Sequence, residues 1–259
     1  VLLMASDIIE LLYPEFKNVK KVPSNTHHHL GLYEHSVETV NQIQKLYENS
    51  ADEIKSHLDK VDFGGFSRLA HLKFAGFFHD IGKFSTWTIE GDRHRFIKHD
   101  DVGSKMAKEI LKQNKFSKKQ IEYITSMIKN HIYPSQVVSS EEVTDKIYMR
   151  YIRKMNDDVI DNIILAQADR LSARGPAITD EIVNDNISRL NKLLEFYLMI
   201  KPKLKPLPKL LTGEEIMDLK NIQQSPKLGE IISALKNEQL EGNILTKDDA
   251  VKFVLEYKV

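Results

Sequence analysis

Apolar residues that recur every three or four positions are the feature that most constrains the fold of this chain. Val37, Val40 and Ile43 illustrate this spacing, which is typical of a helix with one buried face. Only the segments 86–89 and 94–97, on either side of a turn-like stretch, predict a β-hairpin. The pattern therefore predicts an all-α fold. The helical spacing covers the segments 36–49, 67–80, 103–112, 117–130, 157–171 and 180–199.

A Lys- and Pro-rich segment, KPKLKPLPK at 201–209, predicts a linker. Three shorter helical segments follow it, at 213–219, 226–238 and 246–256. We therefore expect a helical bundle over residues 1–200 and a small helical C-terminal module over residues 201–259.

The composition excludes several classes of site. The chain has no cysteine, so any metal must be held by His, Asp or Glu. Its 37 basic and 37 acidic residues balance, which argues against binding nucleic acid by bulk charge alone. No apolar stretch approaches the ~18 residues of a membrane span, and the start is a poor signal peptide, so we expect a cytoplasmic protein without membrane contact. The first residue is Val, which fits a piece of a longer chain.

A group of His and Asp residues carries the chemistry. His79 and Asp80 are adjacent where an apolar helix is predicted to end, and Lys83 follows shortly after. His35 opens a predicted helix, and Asp169 lies near the end of another in apolar surroundings. A buried carboxylate is costly without a cation, and imidazole with carboxylate suits divalent first-row metals. These residues predict a metal site.

At this point the sequence resembles the HD phosphohydrolase superfamily, whose pattern is a His, a His-Asp doublet and a distant Asp. The resemblance is closer to the HD-containing body of bacterial tRNA nucleotidyltransferases (CCA-adding enzymes) and poly(A) polymerase-like proteins, and it runs along nearly the whole chain. The segments that carry it are LYPEF, HHLGLYEHS, HDIGKF, RFIKHDDVGSKMA, KNH and AQADRLS. The tail, with LLTGEEIMDL and SPKLGEIISALKNEQLEGNILTKDDAV, also resembles the C-terminal part of those enzymes.

The resemblance implies an HD-domain helical bundle that binds one or two divalent ions (Mg, Mn, Co, Ni or Fe). His99 and His131 stand where binuclear relatives hold a second ion, and Asp80 would bridge the two ions. The implied ligands of the first ion are His35, His79, Asp80 and Asp169.

We expect Asp80 and Lys83 to be catalytic, with Lys83 also contacting substrate by balancing charge on a phosphoryl group. His28, His29 and Arg170 are further candidates for substrate contact. One alternative is that Lys83 only caps the negative end of the preceding helix. Another is that His28 and His29 belong to a polar loop and take no part in catalysis.

The predicted function is a metal-dependent phosphohydrolase, either a phosphomonoesterase or a phosphodiesterase. Its expected partners are a phosphorylated small molecule, a nucleotide or an RNA end, with a contact to tRNA. The chain has no Asp-x-Asp, which nucleotidyl transfer in that family needs, so we do not expect it to add nucleotides. The alternatives are a tRNA nucleotidyltransferase-related RNA-binding module with a vestigial HD site and a di-iron HD oxygenase. The oligomeric state is not indicated.

Overall fold

The computed structural model describes residues 8–24, 30–91, 93–140, 142–175, 177–204 and 207–257. These residues form helices and one two-stranded antiparallel sheet, which confirms the all-α prediction. In chain order the elements are α1 (Ile8–Leu12), α2 (Phe16–Val19), α3 (Leu32–Glu48), α4 (Asp52–Leu58), α5 (Arg68–Phe78), α6 (Lys83–Thr86), β1 (Trp87–Glu90), β2 (Arg93–Phe96), α7 (His99–Gln113), α8 (Lys118–Asn130), α9 (Tyr133–Val138), α10 (Asp145–Met155), α11 (Val159–Ser172), α12 (Asp180–Ile200), α13 (Gly213–Lys220), α14 (Pro226–Glu241) and α15 (Lys247–Glu256).

The contacts divide the chain into two compact units. One contains residues 1–142 and 157–195, and the other contains residues 143–156 and 196–259. Helix α12 begins in the first unit and ends in the second. The predicted domain boundary at residue 200 stays a prediction.

Helix α11 is the centre of the first unit. Every residue from 159 to 168 is buried, which follows from a sequence, VIDNIILAQA, that is apolar almost all round. Helices α3, α4, α5, α8 and α9 pack against α11, α3 and α8 also pack on α5, and α7 packs on α8. This packing brings the ends of helices that are distant in sequence close together.

Local signals fix where these elements start and turn. Ser67 accepts a hydrogen bond from the backbone of Ala70, and Ser117 forms a capping box with Gln120, so α5 and α8 begin as the sequence predicts. The hairpin is also confirmed, with each strand displaced by one residue from its predicted position. Its turn contains Gly91 at a φ of 59°, a conformation that glycine adopts without strain.

The second unit has its own apolar core. Thr212 with Glu215 and Thr246 with Asp249 form capping boxes at the starts of α13 and α15. The buried core residues of this unit are Leu211, Ile216, Leu228, Ile231, Leu235, Ile244, Ala250 and Val254.

Across the part of the chain that is described, no helix has both the length and the apolarity needed to cross a membrane.

A buried ionic network surrounds Asp161 on α11. The Asp161 carboxylate accepts hydrogen bonds from His57 Nε2 (2.6 Å), Tyr123 Oη (2.6 Å) and two nitrogens of Arg68 (3.0 and 3.1 Å). Burial acts to raise the pKa of Asp161, but the hydrogen bond from His57 and the charge of Arg68 outweigh it and lower the pKa. The network therefore ties α4, α5 and α8 to the central helix.

We expect Asp161→Asn to lower the free energy of unfolding by about 3 kcal/mol at pH 7, because it leaves buried Arg68 with less compensating charge. The folded-state pKa of Asp161 is depressed, so the loss should be full above about pH 4 and shrink as the pH falls further and the wild-type carboxylate is protonated. Urea unfolding between pH 3 and pH 7 measures this dependence. Asp185→Asn, in the exposed pair with Arg189, is the matched control and should change stability by less than about 0.5 kcal/mol. An equal loss in both variants would contradict the role of the network.

Candidate metal centre

Six side chains from five helix ends converge in the first unit. Three of them lie just beyond the last residue of a helix, where the negative end of the helix dipole favours a cation. The six are His35 in the first turn of α3, His79 and Asp80 directly after α5, His99 at the start of α7, His131 directly after α8, and Asp169 in the last turn of α11. All six residues that the sequence suggested as metal ligands therefore come together.

Four of these side chains form a first cluster. His35 Nε2 lies 3.3 Å from Asp80 Oδ2 and 3.1 Å from Asp169 Oδ1. His79 Nε2 lies 3.2 Å from Asp80 Oδ2, 3.6 Å from Asp169 Oδ1 and 3.2 Å from His35 Nε2. One atom of each residue thus faces a common point.

A second cluster uses the other oxygen of the same aspartate. Asp80 Oδ1 lies 3.3 Å from His99 Nε2 and 3.6 Å from His131 Nε2, and the two imidazole nitrogens are 3.3 Å apart. Asp80 therefore stands between two groups of donors, with one oxygen directed at each.

The spacing of these donors fits divalent ions. With metal–ligand bonds of about 2.1 Å, neighbouring ligand atoms lie about 3.0 Å apart around an octahedral ion and about 3.4 Å apart around a tetrahedral one. The separations in both clusters fall in or near this range. In addition, Asp80 is only 1% exposed, and beside the Lys83 ammonium, 2.6 Å from Oδ2, its two oxygens face imidazole nitrogens from both clusters. A buried carboxylate surrounded by ligand nitrogens in this way favours a bound cation.

The backbone holds three of the imidazole rings in the orientation that metal binding requires. The Nδ1 atoms of His79, His99 and His131 lie 2.7–2.9 Å from the carbonyl oxygens of Gly76, Phe96 and Ile128, each three residues earlier. Donation from Nδ1 leaves the Nε2 lone pair directed at the cluster, a common arrangement around metal-binding histidines.

His35 is held by side chains that the sequence reasoning missed. Its Nδ1 lies 3.1 Å from Ser172 Oγ, which donates to the carbonyl oxygen of Asp169 and also contacts Thr39 Oγ1. Ser172 lies one turn after Asp169 on α11, so its position in the AQADRLS segment was the only signal available from the sequence.

Charge is strongly coupled across the two clusters. Burial acts to raise the pKa of Asp80, but the positive charges of His79 and Lys83 outweigh it and hold the pKa well below its usual range. Burial acts to lower the pKa of His79, and the charge of Asp80 overcomes it and raises that pKa to about 10. Burial together with the charge of His79 lowers the pKa of His131 to about 4. A proton on His79 therefore balances part of the negative charge of Asp80 and Asp169, unless a bound metal ion takes the place of that proton.

The predicted substrate-contacting residues differ in where they lie. Lys83 Nζ is 2.6 Å from Asp80 Oδ2, and Lys83 and Arg170 both line a cleft of about 240 Å³ that opens onto His99 and His131. Within the described residues, the Arg170 guanidinium has no hydrogen-bond or ion-pair partner. His28 and His29 lie outside the described residues.

Gly82 sets the position of the second cluster through a close approach of two backbones. A Cβ on Gly82 would lie 2.1 Å from the carbonyl oxygen of His99 and 2.6 Å from the backbone nitrogen of Gly103. The glycine in the His-Asp-Ile-Gly-Lys segment therefore lets the start of α7, which carries His99, reach Asp80. The close approach joins two segments that are apart in sequence, so the sequence alone does not indicate it.

Comparisons with known proteins identify the family of the chain. The family model described as HD domain matches residues 32–174, more than half of the chain. The CC-adding tRNA nucleotidyltransferase of Thermus thermophilus is 28% identical over 233 residues, which cover 89% of this chain and 46% of that protein. The A-adding tRNA nucleotidyltransferase of Deinococcus radiodurans is 24% identical over 257 residues, covering 97% of this chain and 52% of that protein. The chain thus spans about half the length of these relatives, and the predicted resemblance is confirmed.

We expect Gly82→Ala to displace His99 and to weaken the second cluster more than the first. The forced shift of two backbones should also lower the free energy of unfolding by about 2 kcal/mol. Metal titration followed by calorimetry and thermal unfolding measure both effects. Gly229→Ala on α14, where an added Cβ meets nothing within 4 Å, is the control and should stabilise by about 0.5–1 kcal/mol. Unchanged metal binding in Gly82→Ala would contradict the role of the close approach.

Proposed function

Because this chain belongs to the HD domain family, we propose that it is a metal-dependent phosphohydrolase that cleaves phosphomonoesters or phosphodiesters of nucleotides or RNA ends. The observation that carries the proposal is the position of Asp80. Its two oxygens face two separate groups of imidazole nitrogens beside an open cleft. A carboxylate shared in this way is suited to bridge two ions, as in two-metal hydrolytic sites.

Divalent ions bound here would supply Lewis acidity and lower the pKa of water towards neutrality. The chain would provide the remaining requirements. Lys83 lies beside Asp80 and lines the cleft, so its ammonium group would balance charge on the phosphoryl group. Arg170 offers a guanidinium group that can form two parallel hydrogen bonds to phosphate oxygens. Both cations favour an anionic substrate.

The named relatives support a substrate related to RNA. Both act in adding nucleotides to tRNA, as their names state, and this chain covers about half of each. We therefore include the end of a tRNA among the substrates and partners of the proposed activity. The cytoplasmic location also remains a prediction.

We expect His79→Ala to lose bound metal and to reduce turnover of p-nitrophenyl phosphate and bis-p-nitrophenyl phosphate by at least about 100-fold, because His79 is a fully buried member of the first cluster. Elemental analysis, turnover assays and circular dichroism measure metal, activity and helical content. His94→Ala, at a histidine that contacts Trp87 in the hairpin, is the matched control and should keep its metal.

Full metal content in His79→Ala would show that the site is misassigned. Two irons per chain with visible absorption and no phosphoester turnover would instead favour the di-iron oxygenase. RNA binding that survives removal of the metal, again without turnover, would favour an RNA-binding module with a vestigial site.

We expect Arg170→Gln to lower kcat/KM for phosphomonoesters by roughly 10- to 100-fold, mainly through KM, since a hydrogen bond to a charged group contributes about 1.5–3 kcal/mol. The metal content should stay at the wild-type level. Steady-state kinetics and elemental analysis test this expectation. Arg153→Gln, at an exposed position in the second unit, is the matched control. Equal kinetics for the two variants would remove Arg170 from substrate binding.

A further inference from the structure

The cleft beside the metal centre adjoins a second chamber, which is open to solvent. The cleft itself has a volume of about 240 Å³, and the chamber next to it has a volume of about 370 Å³. Ile132, Asp169 and Arg170 line both spaces, so the two adjoin at these residues. A substrate whose phosphate lies at the metal centre can therefore extend past Arg170.

The combined space is much larger than a phosphoryl group needs. Sites for small organic ligands have volumes of about 300–1,000 Å³. The second chamber alone reaches this range, and it lies away from the histidines of the second cluster. It therefore has the size of a site for the organic group that is joined to the phosphate.

The lining of the second chamber combines apolar and polar surface, and its only charged residues among those described, Asp169 and Arg170, are the ones that it shares with the cleft. Beyond the residues shared with the cleft, it is lined by Ser135, Gln136 and Ser139 from the region of α9, and by Ala166 of α11. Ile132 and Ala166 provide apolar surface. The two hydroxyl groups and the carboxamide provide hydrogen-bond donors and acceptors. This combination suits a neutral group with an apolar ring face and polar edges.

Gln136 is the side chain best placed to form hydrogen bonds with the polar edge of a bound ring. Ser139 Oγ already donates to the backbone oxygen of Gln136 at 2.8 Å, and Ser135 Oγ lies 3.5 Å from Asn186 Oδ1. The Gln136 carboxamide has no hydrogen-bond partner among the residues that the structure describes. It therefore keeps two donors and an acceptor available to a ligand.

We propose that the second chamber binds the nucleoside part of a substrate whose phosphate lies at the metal centre, with Gln136 and Ser139 hydrogen-bonding its polar edge. Ile132 and Ala166 contact the ring face, and Arg170 marks the junction between phosphate and nucleoside. The inference rests on the proposed function only in placing the phosphate beside the two clusters. A free nucleotide and the last nucleotide of an RNA present the same chemistry to this chamber.

The test is a binding measurement on the Mn²⁺-loaded full chain. Methylphosphonate and adenosine 5′-methylenephosphonate share a phosphonate group whose C–P bond is not an ester, so neither is hydrolysed. We expect calorimetry to show at least tenfold tighter binding of the adenosine ligand. The double variant Gln136→Ala/Ser139→Ala should reduce this ratio by roughly five- to tenfold, in line with the loss of one or two neutral hydrogen bonds.

The control is Gln113→Ala, at the exposed end of α7, which should keep the wild-type ratio. Equal binding of the two ligands by the wild type would overturn the proposal, as would an unchanged ratio in the double variant. A dinucleotide with the same phosphonate end forms a further arm. Tighter binding than the mononucleotide supports an RNA end, and equal or weaker binding supports a free nucleotide, so either result is consistent with the shared chemistry.

Failure of this inference differs from failure of the proposed function. A protein that prefers the adenosine ligand but hydrolyses no phosphoester would retain the nucleoside chamber and lose the hydrolase activity. A protein that hydrolyses phosphoesters but binds both phosphonates equally would retain the activity and lose the chamber.

Discussion

The burial of the Asp80 carboxylate is the constraint on which the rest of the first unit depends. A carboxylate that is 1% exposed is stable only beside compensating positive charge. Lys83 supplies part of that charge, and a protonated His79 or a bound ion supplies the rest. The helix ends that carry the six ligands must converge within about one side-chain length of Asp80, and the packing of α3, α5, α7, α8 and α11 achieves this.

Much of the site was predictable because short polar segments interrupt apolar helices. The His79-Asp80 doublet marks such an interruption, and the resemblance to HD proteins supplied the partners that are far away in sequence. All of these residues converge as expected. Their roles remain predictions, whereas the helical fold follows from periodicity alone. The supporting role of Ser172 was hidden because a serine near a helix end has many ordinary uses.

The features that could not be predicted depend on contacts between distant segments. The close approach of two backbones at Gly82 arises only when the start of α7 meets the turn after α5. Helix α9 begins at Tyr133 and Pro134, and a proline in a short segment reads as a break although it is well tolerated in a first helical turn. Since α9 supplies much of the second chamber, missing this helix also concealed the chamber.

The nucleoside chamber would let the metal centre select a phosphoester by the nucleoside attached to it. Hydrolysis requires the phosphate and its nucleoside to be held in a fixed relation. In this chain Arg170 stands where the metal cleft meets the chamber, so recognition of the nucleoside and placement of the phosphorus atom would depend on the same turn of α11.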